Sequence, residues 1–365
     1  MAILSINLNL SLGDFSLKVS ETLKLDGVTA LFGPSGSGKT TFLNILAGLE
    51  KRSVGTVSLG GETWQDTQHR IFVPPYSRRL GYVFQDGRLF SHLSVEANLL
   101  FSQKRSHYSA ATTQPIKTEE VIKSLELTSL LQRSPESLSR GEQQRVAMGR
   151  ALLNNPEVLL MDEPLSALDI GRKREIIPYI ERLANDFSIP MLYVTHNVEE
   201  VTRLADTMAL LANGRIAAIG DTAEVLERTD LWPLTGRLEA GAILQATVGD
   251  TKNGMTSLSI ADEILRIPTI EVIPGTLVRL RVQAKEVALA IQRPDNLSIR
   301  NMLTAHVLKI DLDETVFAEL LLDVGGQHLR SRVTREAVEE LMLHEGQKVF
   351  ALIKSVAFEG RLLTN

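Results

Sequence analysis

One octapeptide, GPSGSGKT at Gly33–Thr40, limits the folds open to this chain more than any other stretch. It follows the apolar run Val28–Phe32 and precedes a helical pattern, so we predict a strand, a loop and a helix in that order. Gly36 and Gly38 let consecutive backbone N–H groups turn inward around a phosphate, where a Cβ would obstruct them. The following helix points its positive end at the same anion. The motif therefore predicts a site for a nucleoside triphosphate.

Two side chains of this loop have specific expected tasks. Lys39 reaches the β- and γ-phosphates, and the Thr40 hydroxyl ligates Mg²⁺. The alternative is a glycine-rich turn without a ligand, which the context of strand, loop and helix disfavours. The residues that we expect to bind the nucleotide are Gly33, Pro34, Ser35, Gly36, Ser37, Gly38, Lys39, Thr40 and Thr41.

The chain of 365 residues has room for more than one domain. Up to about residue 230, apolar strands alternate with helical stretches, which is typical of an α/β domain with a mostly parallel sheet. Beyond that point strand-like runs dominate, interrupted by one helical stretch with Thr334 as its N-cap, and a small β-barrel is expected. We expect a nucleotide-binding domain over 1–230, a linker with the first C-terminal strands over 231–290, and a regulatory barrel domain over 291–365.

The C-terminal runs that we predict to be strands share β-branched or leucine residues between glycine-containing turns. They are Val278–Val282, Val287–Ile291, Leu303–Ile310, Val316–Leu322 and Val349–Ile353.

Composition excludes several classes of protein. The net charge of −5 disfavours a nucleic-acid binder, and the absence of cysteine excludes disulfides and thiolate chemistry. The N-terminus alternates apolar and polar residues like a strand with one buried face, unlike a signal peptide. No apolar run approaches the roughly 20 residues that span a bilayer. We therefore expect a cytoplasmic chain whose membrane connection, if any, goes through a partner.

Two acids, Asp162 and Glu163, end the apolar run EVLLMDEP, which reads as a central parallel strand. Ligands of open α/β sheets bind beyond the carboxyl ends of strands, where the phosphate loop would also lie. We expect Asp162 to hold Mg²⁺ and Glu163 to orient and deprotonate an attacking water, which makes the chain a hydrolase and not a kinase. The alternative is that both acids only terminate a strand.

Further motifs narrow the class of hydrolase. LSRGEQQRVAMGRAL starts at Leu138, SALD follows the acids at Ser166, FQ lies at Phe84–Gln85, and TH lies at Thr195–His196. Together with the phosphate loop, this set resembles the ATP-binding subunits of ABC transporters over about the first 230 residues. The resemblance implies a P-loop ABC ATPase domain with a helical subdomain, ATP and Mg²⁺ as ligands, and a head-to-tail homodimer.

The resemblance also implies roles for individual residues. The signature turn of one chain would contact the nucleotide of its partner, with Ser139 and Gly141 bonded to the γ-phosphate. Gln85 would sense the γ-phosphate through Mg²⁺ or the attacking water, and Asp169 would cross the dimer interface. His196 would contact the γ-phosphate and hold Glu163, although a structural helix cap is the commoner use of such a histidine. The complete signature set is Ser139, Arg140, Gly141, Glu142 and Gln143.

Two departures from the family pattern concern the nucleotide site. The usual signature is L-S-G-G-Q, and here Arg140 and Glu142 stand where the family has glycine and glutamine. Ser139 and Gly141, the contacts that need small residues, are retained, so activity is expected to survive. The aromatic residue that often stacks on adenine is not evident; Phe15 is the candidate, with a place in the core as the alternative.

The segment DGRLFSHLSVEANLLF after Gln85 resembles the importer surface that receives a helix from a membrane-spanning permease subunit. Leu89, Phe90, Leu93 and Val95 would form part of that groove, with ordinary core positions as the alternative. The resemblance implies permease partners, an external solute-binding protein, and a place on the cytoplasmic face of the membrane.

The C-terminal part, from about Asn296 to Phe358, resembles the OB-like oxyanion-binding domain of molybdate-binding proteins, which also occurs on the ATPase subunits of molybdate importers. The resemblance rests on SIRNMLTAHVLKI and on LRSRVTREAVEELMLHEGQKVFALIKS. A barrel used only for dimerisation is the alternative. The residues implied to bind molybdate or tungstate are Ser298, Arg300, Asn301, Lys354 and Ser355.

The sequence as a whole therefore resembles the ATPase subunit of a molybdate importer. Two alternatives stay open at this point. One is an importer ATPase for another solute, such as sulfate, ferric iron, polyamine or sugar, because related barrels occur on those subunits. The other is a soluble ABC ATPase outside transport, although the chain has one cassette and lacks the long insertion of repair proteins.

Overall fold

A computed structural model describes residues 2–103, 115–235, 241–270, 272–312 and 316–353. The chain divides into two compact units, Met1–Thr222 and Ala223–Asn365. Among the helices of the described residues, none combines the length and the apolar character needed to cross a membrane.

The first unit is built around a six-stranded sheet of order β11-β10-β3-β9-β8-β7. The five consecutive strands from β10 to β7 run parallel to one another, and β11 pairs antiparallel with β10 at the edge. Every residue of β3, β8 and β9 is buried, as expected for strands that are covered on both faces. The strands are β3 (Val28–Phe32), β7 (Leu80–Val83), β8 (Val158–Asp162), β9 (Met191–Thr195), β10 (Thr207–Ala212) and β11 (Arg215–Asp221).

A second, antiparallel sheet of five strands, in the order β2-β1-β4-β5-β6, packs its apolar face on helix α1. Leu4, Leu8 and Leu10 alternate with polar residues along β1 and are buried, which confirms the strand predicted at the N-terminus. The strands are β1 (Ala2–Leu12), β2 (Phe15–Leu25), β4 (Val54–Leu59), β5 (Glu62–Asp66) and β6 (Ile71–Phe72).

The helices of the first unit connect the strands of the parallel sheet or form a helical subdomain between β7 and β8. Helix α4 begins at Arg140, directly after its N-cap Ser139. The helices are α1 (Lys39–Leu46), α2 (Val95–Gln103), α3 (Thr118–Ser124), α4 (Arg140–Leu152), α5 (Ile170–Phe187), α6 (Val198–Leu204) and α7 (Thr222–Glu227), the last of which crosses the boundary between the units.

The second unit contains a four-stranded sheet of order β14-β13-β12-β15 and a five-stranded sheet of order β16-β20-β17-β18-β19. The strands of both sheets share one hydrophobic core. Thr334 is the N-cap of the helix Arg335–Glu340, as predicted. The elements are α8 (Trp232–Thr235), β12 (Gly241–Lys252), β13 (Met255–Ile260), β14 (Glu263–Pro268), β15 (Leu277–Gln283), β16 (Val287–Ala290), β17 (Asn301–Leu312), β18 (Phe317–Val324), β19 (Gln327–Thr334), α9 (Arg335–Glu340) and β20 (Lys348–Ile353).

Two side-chain amides join the two sheets of the second unit. Gln327 accepts from the backbone N–H of Gln245 at 2.7 Å and donates to its carbonyl at 2.9 Å, so its side chain links β19 to β12. Asn301 accepts from the backbone N–H of Arg266 at 2.8 Å and donates to its carbonyl at 3.1 Å, which links β17 to β14. Each amide satisfies both backbone groups of one opposing residue, so these groups are not left unpaired.

Candidate active site

The carboxyl ends of three neighbouring strands bring the predicted catalytic residues together. In the sheet register, Phe32 at the end of β3 pairs with Thr195 at the end of β9, and Asp162 at the end of β8 pairs with Val194. The phosphate loop, the two acids and His196 therefore leave the sheet at the same edge. This is the position at which open parallel sheets bind their ligands.

The phosphate loop encloses its own lysine. Lys39 is 5% exposed, and its Nζ donates to the carbonyl oxygens of Gly33 at 2.8 Å and Pro34 at 3.1 Å. Burial lowers the pKa of Lys39, while the nearby carboxylates of Glu163 and Asp162 act in the opposite direction. Gly38 has a φ of 104°, a left-handed conformation that L side chains rarely adopt, and it caps α1. The ammonium is thus held at the centre of the loop, where phosphate oxygens would replace the carbonyls as its partners.

A cavity of about 330 Å³ opens over this loop. Phe15 lines it and also packs on the core of the first unit, and its stacking on adenine stays a prediction. A Cβ on Gly38 would lie 2.6 Å from Phe15 Cζ, so any other residue at position 38 would displace this ring in addition to straining the backbone. The cavity is lined by Phe15, Ser35, Gly36, Gly38, Lys39, Thr40, Thr41 and Glu163.

Thr40 and Asp162 meet across the site. The Thr40 hydroxyl donates to Asp162 Oδ1 at 3.0 Å, and Tyr82 OH lies 3.2 Å from Oδ2 of the same carboxylate. Burial raises the pKa of Asp162, and the hydrogen bonds from Thr40 and Tyr82 offset this only in part. Tyr82 was missed by sequence reasoning, since a tyrosine inside an apolar strand carries no signal of its own. The Thr40 hydroxyl and the Asp162 carboxylate offer hard oxygen atoms, the ligands that Mg²⁺ prefers, and the carboxylate also supplies negative charge.

Glu163 has a strained backbone that points its carboxylate into the site. Its φ is 43°, uncommon for a residue with a side chain, and its N–H donates to Val194 O at 3.0 Å. Glu163 Oε1 lies 3.1 Å from His196 Nδ1 and 3.8 Å from Lys39 Nζ. Such strain is typical of positions where the direction of a side chain matters.

His196 is not a helix cap. Asn197 caps α6, because its Oδ1 accepts from the backbone N–H groups of Glu199 at 2.7 Å and Glu200 at 3.3 Å. The alternative use of His196 is therefore wrong, and its ring bonds to Glu163 instead.

Gln85 is exposed and lies two residues after the end of β7. Its carbonyl accepts from Gln144 Nε2 at 3.1 Å, and the same amide donates to Pro164 O at 2.7 Å. Gln144 was also missed by sequence reasoning. It links α4 to the loop of Gln85 and to the loop that follows Glu163.

The signature turn forms a capping box at the start of α4. Ser139 Oγ accepts from Glu142 N at 3.3 Å, and Glu142 Oε2 accepts from Ser139 N at 2.7 Å. The bond from the Ser139 backbone lowers the pKa of Glu142, so this carboxylate stays charged and engaged. Gly141 is buried beside Ile176. A cavity of about 400 Å³ lies next to this turn, lined by Ser139, Gly141, Glu142, Arg145, Arg172, Glu175, Ile176 and Tyr179.

The other signature residues contact their own chain. Arg140 is exposed and donates to Ala167 O at 3.4 Å, and Gln143 Nε2 donates to Pro135 O at 2.9 Å. Asp169 is the N-cap of α5, accepting from Arg172 N at 3.0 Å. Arg140, which departs from the family pattern, therefore contacts the loop that leads to Asp169.

The candidate oxyanion residues of the second unit are in different situations. Ser298 and Arg300 are exposed, in the irregular segment before β17. The buried Asn301 uses its amide oxygen and one N–H on Arg266, which leaves at most one N–H for an anion. Lys354 and Ser355 lie outside the described residues.

Two protein families match parts of the chain. Residues 17–166, which contain the phosphate loop, the signature turn and both acids, match the ABC transporter family. Residues 297–358 match the TOBE domain family. The predicted nucleotide-binding and C-terminal domains therefore both have counterparts in known families.

Two solved structures confirm the fold class of the first unit. CbiO1 of Clostridium perfringens, part of the ABC transporter complex CbiONQ, has a TM-score of 0.51 at 25% identity, covering 63% of this chain and 92% of that one. A nucleotide-free ATP-binding cassette from an ABC transporter has a TM-score of 0.52 at 25% identity, covering 63% of this chain and 97% of that one.

Curated relatives match nearly the whole chain. The molybdenum import ATP-binding protein ModC of Pseudomonas aeruginosa is 46% identical over 348 residues, 94% of this chain and 95% of that protein. The protein of the same name from Paramagnetospirillum magneticum is 45% identical over 355 residues, 97% of each chain. This chain belongs to the ModC family of ABC transporter ATP-binding proteins.

Proposed function

We propose that the chain is the ATP-hydrolysing subunit of a molybdate importer. The observation that carries the proposal is the similarity to molybdenum import proteins over 94% of the chain, which spans both compact units. A soluble ABC ATPase without transport would share only the first unit with these relatives. An importer for another solute would be expected to diverge in the second unit, where the similarity continues.

Hydrolysis begins with the capture of the triphosphate by the loop of Lys39. Its ammonium is already 3.8 Å from Glu163 Oε1, so the γ-phosphate it binds would lie next to the carboxylate that activates water. Glu163 accepts a proton from that water as it attacks. His196, whose Nδ1 lies 3.1 Å from Glu163 Oε1, orients the carboxylate.

Thr40 and Asp162 would hold Mg²⁺ at this site. Their oxygens are 3.0 Å apart, and the raised pKa of the buried Asp162 supports a site at which a cation stabilises the carboxylate. When bound, Mg²⁺ neutralises charge on the β- and γ-phosphate oxygens. Gln85, exposed at the end of β7, is the third candidate ligand.

Replacing Asp162 by asparagine should raise the Mg²⁺ concentration needed for half-maximal ATP hydrolysis by at least about tenfold, because the charged ligand is lost. The asparagine oxygen can still accept from Thr40, so the local fold is retained. The measurement is the hydrolysis rate against Mg²⁺ at constant ATP. Tyr82→Phe, which removes a hydrogen bond to the same carboxylate but no ligand, is the control and should shift the curve by less. An unchanged curve for Asp162→Asn would exclude it as a ligand.

Two copies would associate head to tail, so that the phosphate loop of one meets the signature turn of the other. Within one chain the two turns line separate cavities with no common residue, which supports a second copy as the source of the missing half. The Ser139 hydroxyl proton and the first N–H groups of α4 would then bind the γ-phosphate of the partner. Closure of the dimer on ATP supplies the movement that drives transport.

The membrane step belongs to permease subunits, which would receive molybdate from an external binding protein and dock this chain at the cytoplasmic face. Leu89, Phe90 and Leu93 are half-buried and suit a docking groove. Val95 is fully buried, so it belongs to the core and is no part of that surface.

Molybdate or tungstate would also bind the second unit as a regulatory ligand. The exposed Ser298 and Arg300 suit a dianion site that forms between two copies, and Asn301 would contribute no more than one N–H. Lys354 and Ser355, named from the family resemblance, complete the candidate set.

Cells that lack their own ATPase of this type provide the test of cargo. Expression of this chain with its permease should restore cellular molybdenum, measured by mass spectrometry at limiting molybdate, and Glu163→Gln should not. In parallel, calorimetry of the purified chain should show binding of molybdate and tungstate but not of sulfate or phosphate, with loss of binding in a Ser298→Ala, Lys354→Ala variant. Restoration of sulfate or iron uptake in place of molybdenum would overturn the proposed cargo.

A further inference from the structure

We propose that Glu200 is a positioning residue for hydrolysis, which ties helix α5 to the end of strand β9 that carries His196. The inference rests on the proposed function, because it assumes that His196 and Glu163 act together on ATP. Glu200 belongs to helix α6 and is part of neither the phosphate loop nor the signature turn nor the pair of acids.

The carboxylate of Glu200 is the centre of a buried network. The residue is 3% exposed and accepts hydrogen bonds from Tyr193 OH at 2.9 Å, Thr195 Oγ1 at 2.7 Å and Lys173 Nζ at 2.9 Å. Burial, and then the adjacent Glu200, raises the pKa of Tyr193, so this hydroxyl remains a donor. A desolvated carboxylate is costly unless it is paired and hydrogen-bonded, and here both conditions are met.

One oxygen of Glu200 controls the backbone around His196. Thr195 Oγ1 donates to Glu200 Oε2 at 2.7 Å and accepts from Asn197 N at 3.0 Å. The hydroxyl therefore fixes the residues immediately before and after His196. The direction of the imidazole toward Glu163 depends on this short segment.

The other oxygen reaches the helix that begins at the proposed dimer interface. Lys173 Nζ lies 2.9 Å from Glu200 Oε1, and Lys173 N donates to Asp169 O at 2.9 Å in the first turn of α5. Asp169 is the residue expected to meet the partner chain. A displacement of α5 on dimer closure would thus pass through one ion pair and one hydroxyl to His196.

A second ion pair joins the same two helices but not the strand. Arg203 Nε lies 3.0 Å from Glu181 Oε1, and the two side chains are 21% and 22% exposed. This pair can hold α5 against α6 without any contact to Thr195. It therefore provides a matched control that separates holding the helices together from positioning His196.

The kinetic test compares Glu200→Gln and Lys173→Met with Glu181→Gln. The first two should lower kcat by roughly 5- to 30-fold with KM for ATP changed less than about twofold, whereas Glu181→Gln should resemble the wild type. The double variant Glu200→Gln, Lys173→Met should lose no more than the worse single variant, because both act through one contact. Should Glu200→Gln fail to fold, Lys173→Met carries the same test, since Lys173 is 20% exposed.

A spectroscopic test does not depend on turnover. The ring ¹⁵N resonances of His196, assigned with His196→Gln, should shift in Glu200→Gln and Lys173→Met but not in Glu181→Gln. If the wild type hydrolyses no ATP, the proposed function fails, while these resonances still decide whether Glu200 positions His196. Unchanged kcat and unchanged resonances in the Glu200 and Lys173 variants, or equal changes in the Glu181 variant, would overturn the inference.

Discussion

Glu163→Gln should lower kcat for ATP hydrolysis by about 10²- to 10⁴-fold while leaving ATP binding intact. The glutamine has nearly the same shape, so the strained backbone at φ 43° and the bond from its N–H to Val194 O can persist. What disappears is the base that accepts a proton from the attacking water. Because ATP then stays bound, the closed head-to-tail dimer should accumulate.

The measurement is twofold: steady-state phosphate release, and the ATP-dependent dimer fraction by analytical ultracentrifugation. Glu157→Gln is the matched control, because Glu157 precedes the opposite end of β8, is 38% exposed and pairs with Arg79 at 2.7 Å. It should leave both quantities unchanged. A Glu163→Gln protein that hydrolyses ATP within about tenfold of the wild type would assign the base to another group.

The parts of the site that were predictable from sequence have local causes. The phosphate loop needs glycines at positions where the chain turns, and β3 has the predicted bounds of Val28–Phe32 because a short, wholly apolar run between turns can form little else. Asp162 and Glu163 were found for the same reason, as acids that end a buried strand. Family resemblance then supplied the signature turn and His196, which no periodicity marks.

The parts that were not predictable depend on contacts between distant residues. Tyr82 contacts Asp162, which lies 80 positions further along the chain. The sequence of α6 gives no sign that Glu200 is buried and that the adjacent Glu199 is only half-buried. In the second unit, β12 to β14 fall in the range expected to be a linker with first strands, because their polar outer faces weaken the apolar pattern. Asn301 shows the limit of resemblance, since its amide is used mainly on Arg266.

The largest effect on stability is expected at a residue that the sequence does not mark at all. Arg78 is 2% exposed, and its guanidinium donates to Val73 O at 2.9 Å, Ile45 O at 2.7 Å, Leu46 O at 2.6 Å and Trp64 O at 3.4 Å. Burial lowers the pKa of Arg78 to about 10, so it is still charged at neutral pH. Two of its acceptors are the last-turn carbonyls of α1, the helix whose first residue is Lys39.

Arg78→Met should therefore lower the free energy of unfolding of the first unit by about 3–5 kcal/mol, because buried carbonyls lose their donor. Arg79→Met, at the next position, should cost less than about 1 kcal/mol, since Arg79 is 37% exposed and forms surface ion pairs. Trp64 reports on this unit when Trp232 is replaced by phenylalanine, because these are the two tryptophans of the chain. Urea unfolding followed by Trp64 fluorescence gives both values, and equal midpoints for the two variants would contradict the account.

Arg78→Met can also be used to measure whether Arg78 affects the binding of ATP. ATP binds only the folded first unit, so saturating Mg²⁺–ATP adds RT ln(1 + [L]/Kd) to the stability of each protein, with that protein's own Kd. If Arg78 acts only on the fold, the stabilisation by ATP is the same in Arg78→Met and Arg79→Met. If the loss of its bonds to Ile45 and Leu46 also loosens the other end of α1, the Arg78 variant gains less from ATP, and the helix would then be the element through which the antiparallel sheet supports the phosphate loop.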